Sequence, residues 1–363
     1  MSFNWRSFIY NINNNGVVPV IGNDLSMVRF LKEDLTRLGM SNSFIESGVD
    51  EGDSVTFNLY DYLASRLWDI YGVGEPPIVY TIDKVVLQLH KQHVLDNDIN
   101  NAIKNEVSNL TDEQIFLEPF RKLAEITGFD TILTVNPDNF LERAFEAAEI
   151  PVNESVNYSI PLPALDQNKK QDRALVSIYN LMGNIQGYNF ALTEEQSLEY
   201  LHMLQKGEDT ICKDLFDAIK DKAILLIGCS FPDWFMRFFI RIIAKERFKN
   251  GIKTKYVACD HTLQDIELSY FLEHNATKVI RIAGPTVTKE GLTDGDKVYR
   301  DSIEFIDEMH RVWKEYRGDV VDRIRFKEKV FLSYSWDDKS VVERLKNEFE
   351  KNGISVFFDD DAL

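Results

Sequence analysis

Apolar residues Phe3, Trp5, Phe8, Ile9 and Ile12 fall on one helical face, and the run Asn13-Asn14-Asn15-Gly16 predicts where that helix stops. Val17 to Ile21 is a short apolar run that reads as a buried strand, followed by the loop Gly22-Asn23-Asp24-Leu25-Ser26. Residues 40–55 are polar and predict a loop. Helical period returns at Leu59, Tyr62, Leu63, Leu67 and Ile70, and Thr81 to Leu123 reads as further helices, one capped within Asn109 to Glu113. Phe129 to Thr134 predicts a second strand, which Asn136-Pro137-Asp138-Asn139 turns into a helix from Phe140 to Glu149. A surface connection at 161–173 leads to the strand Leu175 to Tyr179, ending in Leu181-Met182-Gly183-Asn184. Helices at Glu194 to Lys206 and Asp214 to Ile219 precede the strand Ala223 to Ile227, closed by Gly228-Cys229-Ser230. A helix at Asp233 to Arg247, a strand at Lys255 to Ala258, a helix at Asp265 to His274, an extended Thr277 to Ile282 and a helix at Ser302 to Tyr316 follow. This alternation predicts an α/β fold whose parallel sheet is covered on both faces.

A charged stretch then predicts a linker, residues 319–328, between a first domain, 1–318, and a last segment, 329–363. In that segment Lys329 to Ser335 reads as a buried strand, Asp337 to Asn352 as an amphipathic helix and Ile354 to Phe358 as a second buried strand. Such a βαβ piece falls short of the ~50 residues an independent domain usually needs. It is therefore expected to be the opening of a second, incomplete domain.

Composition narrows the function classes. Hydrophobic content of 44% and aromatic content of 12% suffice for a sizeable core. Forty-one Lys and Arg against 59 Asp and Glu give a net charge of -18. Affinity for nucleic acid rests largely on phosphate contacts, so this balance argues against direct nucleic-acid binding. Cys212, Cys229 and Cys259 form no C-x-x-C pair, so no zinc or other metal site is expected, and their sparse, odd count fits a reducing cytoplasm. No signal peptide and no apolar run of the roughly 20 residues a membrane span needs can be read.

Ligands of open parallel sheets sit just past the carboxyl ends of the strands. Four loops lie there in order: Gly22-Asn23-Asp24-Leu25-Ser26, Thr134-Val135-Asn136-Pro137-Asp138, Leu181-Met182-Gly183 and Gly228-Cys229-Ser230. Their order and the strands before them resemble the sirtuin family in its divergent bacterial, non-deacetylase branch, over roughly residues 5–315. The resemblance implies a Rossmann-like sheet and NAD as candidate ligand or substrate. It places Gly22, Asn23, Asp24 and Ser26 at the pyrophosphate, and Thr134, Asn136 and Asp138 at the ribose and nicotinamide. Gly228 and Ser230 fall on the adenosine side. Two departures follow from the residues themselves. Asp24 stands where the family has a glycine that admits the phosphate, and its carboxylate opposes a pyrophosphate. Met182 stands where the family has its catalytic histidine, and a thioether neither takes nor delivers a proton. His90, His93, His202, His261, His274 and His310 lie at no other motif position and read as exposed or capping residues. Asn136 and Asp138 remain as catalytic candidates, although an Asn-Pro-Asp at a strand-to-helix junction is also explained as a turn and cap. Trp234, Phe235, Phe238 and Phe239 read as packing.

Val330-Phe331-Leu332-Ser333-Tyr334-Ser335-Trp336-Asp337-Asp338 resembles the first strand and loop of a TIR (Toll/interleukin receptor) domain. Val341, Val342, Leu345 and Phe349 match its first helix, Gly353 ends that helix, and Ile354 to Phe358 matches its second strand. The resemblance implies a truncated flavodoxin-like βαβ, with the catalytic Glu of the TIR family lying beyond Leu363. Asp359-Asp360-Asp361 reads as a solvated loop. Together the two resemblances imply a cytoplasmic bacterial antiviral effector. In it a degenerate sirtuin-like domain assembles or senses, the complete TIR domain hydrolyses NAD, and this chain alone is inactive. A homo-oligomer is implied, triggered by a phage or host protein or a nucleotide signal. Two alternatives stay open: the sirtuin-like domain is itself an NAD hydrolase, or the whole is a non-catalytic nucleotide- or protein-binding scaffold.

Overall fold

The short apolar runs become strands. In chain order they are β1 (Val17–Ile21), β2 (Met27–Leu31), β3 (Val49–Glu51), β4 (Ser54–Asn58), β5 (Thr131–Thr134), β6 (Val156–Asn157), β7 (Ser177–Asn180), β8 (Ala223–Ile227), β9 (Lys255–Ala258), β10 (Thr277–Val279), β11 (Lys329–Leu332) and β12 (Ser355–Phe358). They are seen in a computed structural model that describes the chain apart from residues 1–2, 76, 78–79, 159–171, 173, 188, 208–211, 230, 244–254, 259–265, 275–276, 281, 283–297, 328, 333–340, 343, 347–354 and 359–363. The chain divides into two units, Met1–His310 and Arg311–Leu363.

In the first unit seven strands form one parallel sheet in the order β10-β9-β8-β1-β5-β7-β6. β1 and β8 are buried at every residue, as central parallel strands must be when both faces are covered. Successive side chains alternate between the faces. Val18, Val20, Ile224, Leu226 and Val257 pack on one side into a core with the helices Glu194–Lys206, Lys213–Ile219, Asp233–Ile243 and Ile266–His274. On the other side Tyr256 meets Phe8 of the helix Trp5–Asn13 with ring centroids 4.7 Å apart, and Phe305 of the helix Ser302–Lys327 stacks on Trp5 at 5.6 Å. Each fully buried Val or Ile contributes roughly 1.5–3 kcal/mol. The chain builds outward from β1 to β5 and β7, then returns to lay β8 on the opposite side of β1. That reversal is a topological switch point, where open parallel sheets bind ligands.

Between β1 and β5 lies an insertion that the sequence reading only partly caught. Its helices, Leu59–Tyr71, Ile82–Lys91 and Asp96–Asn109, fall where periodicity puts them. Residues 40–55 are not a loop. They hold a short helix and the strands β3 and β4, and β2 joins these in an antiparallel sheet of order β2-β4-β3. The hairpin turns at Gly52, φ +83°, a conformation glycine adopts without steric cost. No helix begins within Asn109–Glu113; the next starts at Glu118, with Pro119 in its first turn. His310 is neither exposed nor a cap. It is buried and its ring nitrogen lies 2.7 Å from the Glu125 carboxylate.

In the second unit β11 and β12 pair in parallel, from Lys329 opposite Ser355 to Leu332 opposite Phe358. Residues 341–342 and 344–346 between them are helical. Residues 319–327, expected as a linker, continue the helix Ser302–Lys327. One interior glycine, Gly318, costs a helix only about 1 kcal/mol, and Val320, Val321 and Ile324 extend its apolar spacing. The motif residues 333–338, the acidic run 359–361 and, apart from Asp172, the connection 161–173 lie outside the described residues.

Candidate functional site

At the switch point the β1 and β8 loops are sewn together. Gly22 N donates to Ile227 O at 2.9 Å, and Asp24 N donates to Gly228 O at 3.1 Å. Asn23–Leu25 form a single 3-10 turn, closed by Ser26 N donating to Asn23 O. Asn58, the N-cap of the helix Leu59–Tyr71, accepts from Tyr60 N through its side-chain oxygen. Its Nδ2 donates to Asn23 O at 2.7 Å, so one side chain fixes both the helix start and the loop.

Behind this turn lies a buried polar network. Asn136 Nδ2 donates to Gly22 O and to Ser26 Oγ, both at 3.0 Å. Ser26 Oγ in turn donates to Asp138 Oδ2 at 2.7 Å, and the same oxygen accepts from Tyr60 OH at 2.7 Å. Asp138 Oδ1 accepts from Phe140 N at 3.0 Å, so Asp138 also satisfies the first N–H of the helix Phe140–Ala147, whose N-cap is Asn139. Burial pushes the Asp138 carboxyl above the usual carboxylate range, against the three donors that favour its charged form. Burial and the neighbouring Asp138 push the Tyr60 phenol well above its ordinary value, so Tyr60 keeps its proton and donates. Every oxygen of Asp138 is engaged. In Asn136 one atom is not: Oδ1 is buried without a partner.

In front of the network opens a cavity of about 890 Å³. Of the residues expected at the site, Asn23, Asp24, Asn136 and Met182 line it. Ser26 and Asp138 stand behind its wall, Thr134 accepts from Asn136 N through Oγ1, and Gly22 and Gly228 hold the loops. Ser230 lies outside the described residues. Met182 is 2% exposed, with its carbonyl accepting from Ala191 N. Phe235 belongs to the core, as expected for packing, but also lines the cavity with Phe231. Sequence reasoning missed Tyr60 and Asp61. The helix-capping Asn58 just before them was the available signal.

Asp61 lines the cavity yet stays exposed to solvent, and the crowding around it pushes its carboxyl from 3.8 up to about 6, an effect on stability that solvent screening reduces. The folded state therefore binds more protons than the unfolded one between these values, and this contribution to stability is lost as pH rises through about 6. Asp61→Asn removes the titration. Relative to the unmodified chain, its Tm is expected to gain on the order of 2 °C between pH 4.5 and pH 7.5. Thermal unfolding at both pH values checks this; an equal difference at the two would show that Asp61 titrates normally.

A seven-stranded parallel sheet, flanked by helices, with polar loops gathered at its switch point is a Rossmann-like architecture. Residues 130–280 match the family model described as a SIR2-like domain. The match carries β5 to β10, with Thr134, Asn136, Asp138, Met182 and Gly228, while the loop Gly22–Ser26 and residues 329–363 lie outside it. No curated protein matches the chain. Among the described residues no helix is long and apolar enough to cross a membrane.

Proposed function

We propose that the first unit is a non-catalytic recognition and assembly domain on a SIR2-like fold, with NAD as a candidate ligand. The observation that carries this reading is Met182 on the cavity wall, where the sirtuin resemblance expects a histidine. A thioether cannot serve as a general acid or base. The Asp138 carboxylate cannot stand in for it, because both oxygens are committed behind the wall. Residues 329–363 then belong to the start of a TIR domain, a reading that the parallel pairing of β11 with β12 supports. In the intact protein a complete TIR domain hydrolyses NAD, and the first unit supplies the homo-oligomer or the sensor in a cytoplasmic bacterial antiviral response. The trigger is a phage or host protein or a nucleotide signal.

Nicotinamide release from NAD tests the first step. The 363-residue chain is expected to release no more than a heat-killed control. Release well above that control, abolished by Asn136→Ala, would establish instead that the first unit is itself an NAD hydrolase.

A further inference from the structure

The charge around the cavity is one-sided. Asp24, Asp61, Asp83, Glu194 and Asp301 line it, against Lys84 as the cation among the described lining residues. Asp301 is partly offset by Arg300, whose Nε lies 2.8 Å from its carboxylate. The remaining field still favours positive ligands, because a concave site lined by one sign of charge concentrates the opposite sign. Among the described residues no three His, Cys, Asp or Glu side chains converge so that they could hold a metal ion. The acidic lining therefore acts as a field rather than as a chelating set.

Asn136 supplies an independent pointer to a ligand. It is 2% exposed, lies on the cavity wall and keeps Oδ1 unpartnered. Its amide orientation is forced, because Nδ2 faces the Gly22 carbonyl, which can only accept. Oδ1 is thus a fixed acceptor that calls for an N–H or O–H donor from whatever enters. The apolar part of the wall, Val135, Met182, Phe231 and Phe235, suits a flat or compact organic body.

We propose that this cavity binds a compact organic cation that carries an N–H or O–H donor and no phosphate. Asn136 Oδ1 receives the donor, and the carboxylates of Asp24 and Asp61 face the charge. The proposal rests on the reading of the first unit as a recognition domain and narrows it: the acidic lining opposes a pyrophosphate, so the phosphate-free cation takes the place of NAD as candidate ligand.

A matched pair of probes isolates the phosphate. Nicotinamide riboside carries a pyridinium charge with hydroxyl and amide donors, and its 5′-phosphorylated form, the mononucleotide, differs by the phosphate alone. Calorimetry on the whole chain at low salt is expected to show the riboside binding about tenfold more tightly than the mononucleotide. Asp24→Asn is expected to narrow that ratio several-fold, by weakening the riboside and strengthening the mononucleotide. Asn136→Ala is expected to weaken the riboside about tenfold. Because Asn136 also braces the loop, the Asp24→Asn ratio stands as the test even if the alanine variant folds poorly. No binding of the riboside, equal or tighter binding of the mononucleotide, or a ratio unmoved by Asp24→Asn overturns the proposal. The underlying reading fails by a different signal, release of nicotinamide from NAD.

Discussion

Asp138→Ala is expected to destabilise the first unit by about 3 kcal/mol, measured as the loss in urea-unfolding free energy. The side chain is 3% exposed and receives three donors, Ser26 Oγ, Tyr60 OH and Phe140 N. Alanine leaves all three without an acceptor in a site that water does not reach. Each unsatisfied buried group costs about 1–3 kcal/mol, and the whole is reduced by whatever relaxation the loop allows. Asp138→Asn is expected to cost about half as much. Its remaining oxygen can take the Phe140 amide while its NH₂ faces the two hydroxyls, which can rotate to accept. The loss therefore has a sharp ordering, alanine well below asparagine. An alanine variant within about 1 kcal/mol of the unmodified chain would show that the three donors find other partners, and that Asp138 is not what ties β5 to the β1 loop and the insertion. The consequence for function is direct. Asp138, which the sequence resemblance offers as a ligand contact, does not line the cavity and instead binds Ser26, Tyr60 and Phe140.

That difference shows where sequence is informative. β1, β8 and β9 are legible because a parallel strand covered on both faces must be apolar at nearly every position, as Val17–Ile21 and Ala223–Ile227 are. The four loops are legible because they follow those runs in order. The antiparallel sheet of the insertion is not. All of Val49-Asp50-Glu51 is exposed. In β2 burial alternates, but the outward-facing Leu31 is as apolar as the buried Val28 and Phe30, and in β4 Thr56 is buried between Val55 and Phe57, so in neither β2 nor β4 does the sequence repeat the period of the burial. Their pairing is set by the hairpin at Gly52 and by β2 reaching across to β4. Within the site, Asn23, Asp24, Asn136 and Met182, which line the cavity, are legible because each sits in a loop that follows a strand in order. Tyr60 is not, since its partner Asp138 lies 78 residues away and nothing local marks a buried phenol. The acidic character of the cavity is equally non-local. It joins Asp24 from the β1 loop, Asp61 and Asp83 from the insertion, Glu194 from the helix after β7 and Asp301 from just before the helix Ser302–Lys327.

Gly22→Ala is expected to be the other severe substitution, with a loss of about 3 kcal/mol in the same unfolding measurement. A β-carbon at residue 22 would stand 2.2 Å from Gly228 O and 2.4 Å from Cys229 Cα. Both are backbone atoms, so no rotamer change relieves the contact. The backbone is also held in place: Gly22 N bonds Ile227 O, Asp24 N bonds Gly228 O, and Gly228 N bonds Ala258 O at 2.9 Å. Moving the two loops apart breaks at least one of these bonds at the centre of the sheet. Gly318→Ala provides the contrast. Its added carbon meets nothing within 4 Å and its residue lies in a helix, so alanine there is expected to stabilise by about 0.5–1 kcal/mol. An unchanged urea midpoint for Gly22→Ala would mean that the β1 and β8 loops sit farther apart than described. The close approach has a bearing on function as well. A glycine after the first strand is the feature most readily assigned to phosphate binding. Here the crossing of two backbones requires it whether or not a phosphate ever enters, so Gly22 carries no weight for a dinucleotide.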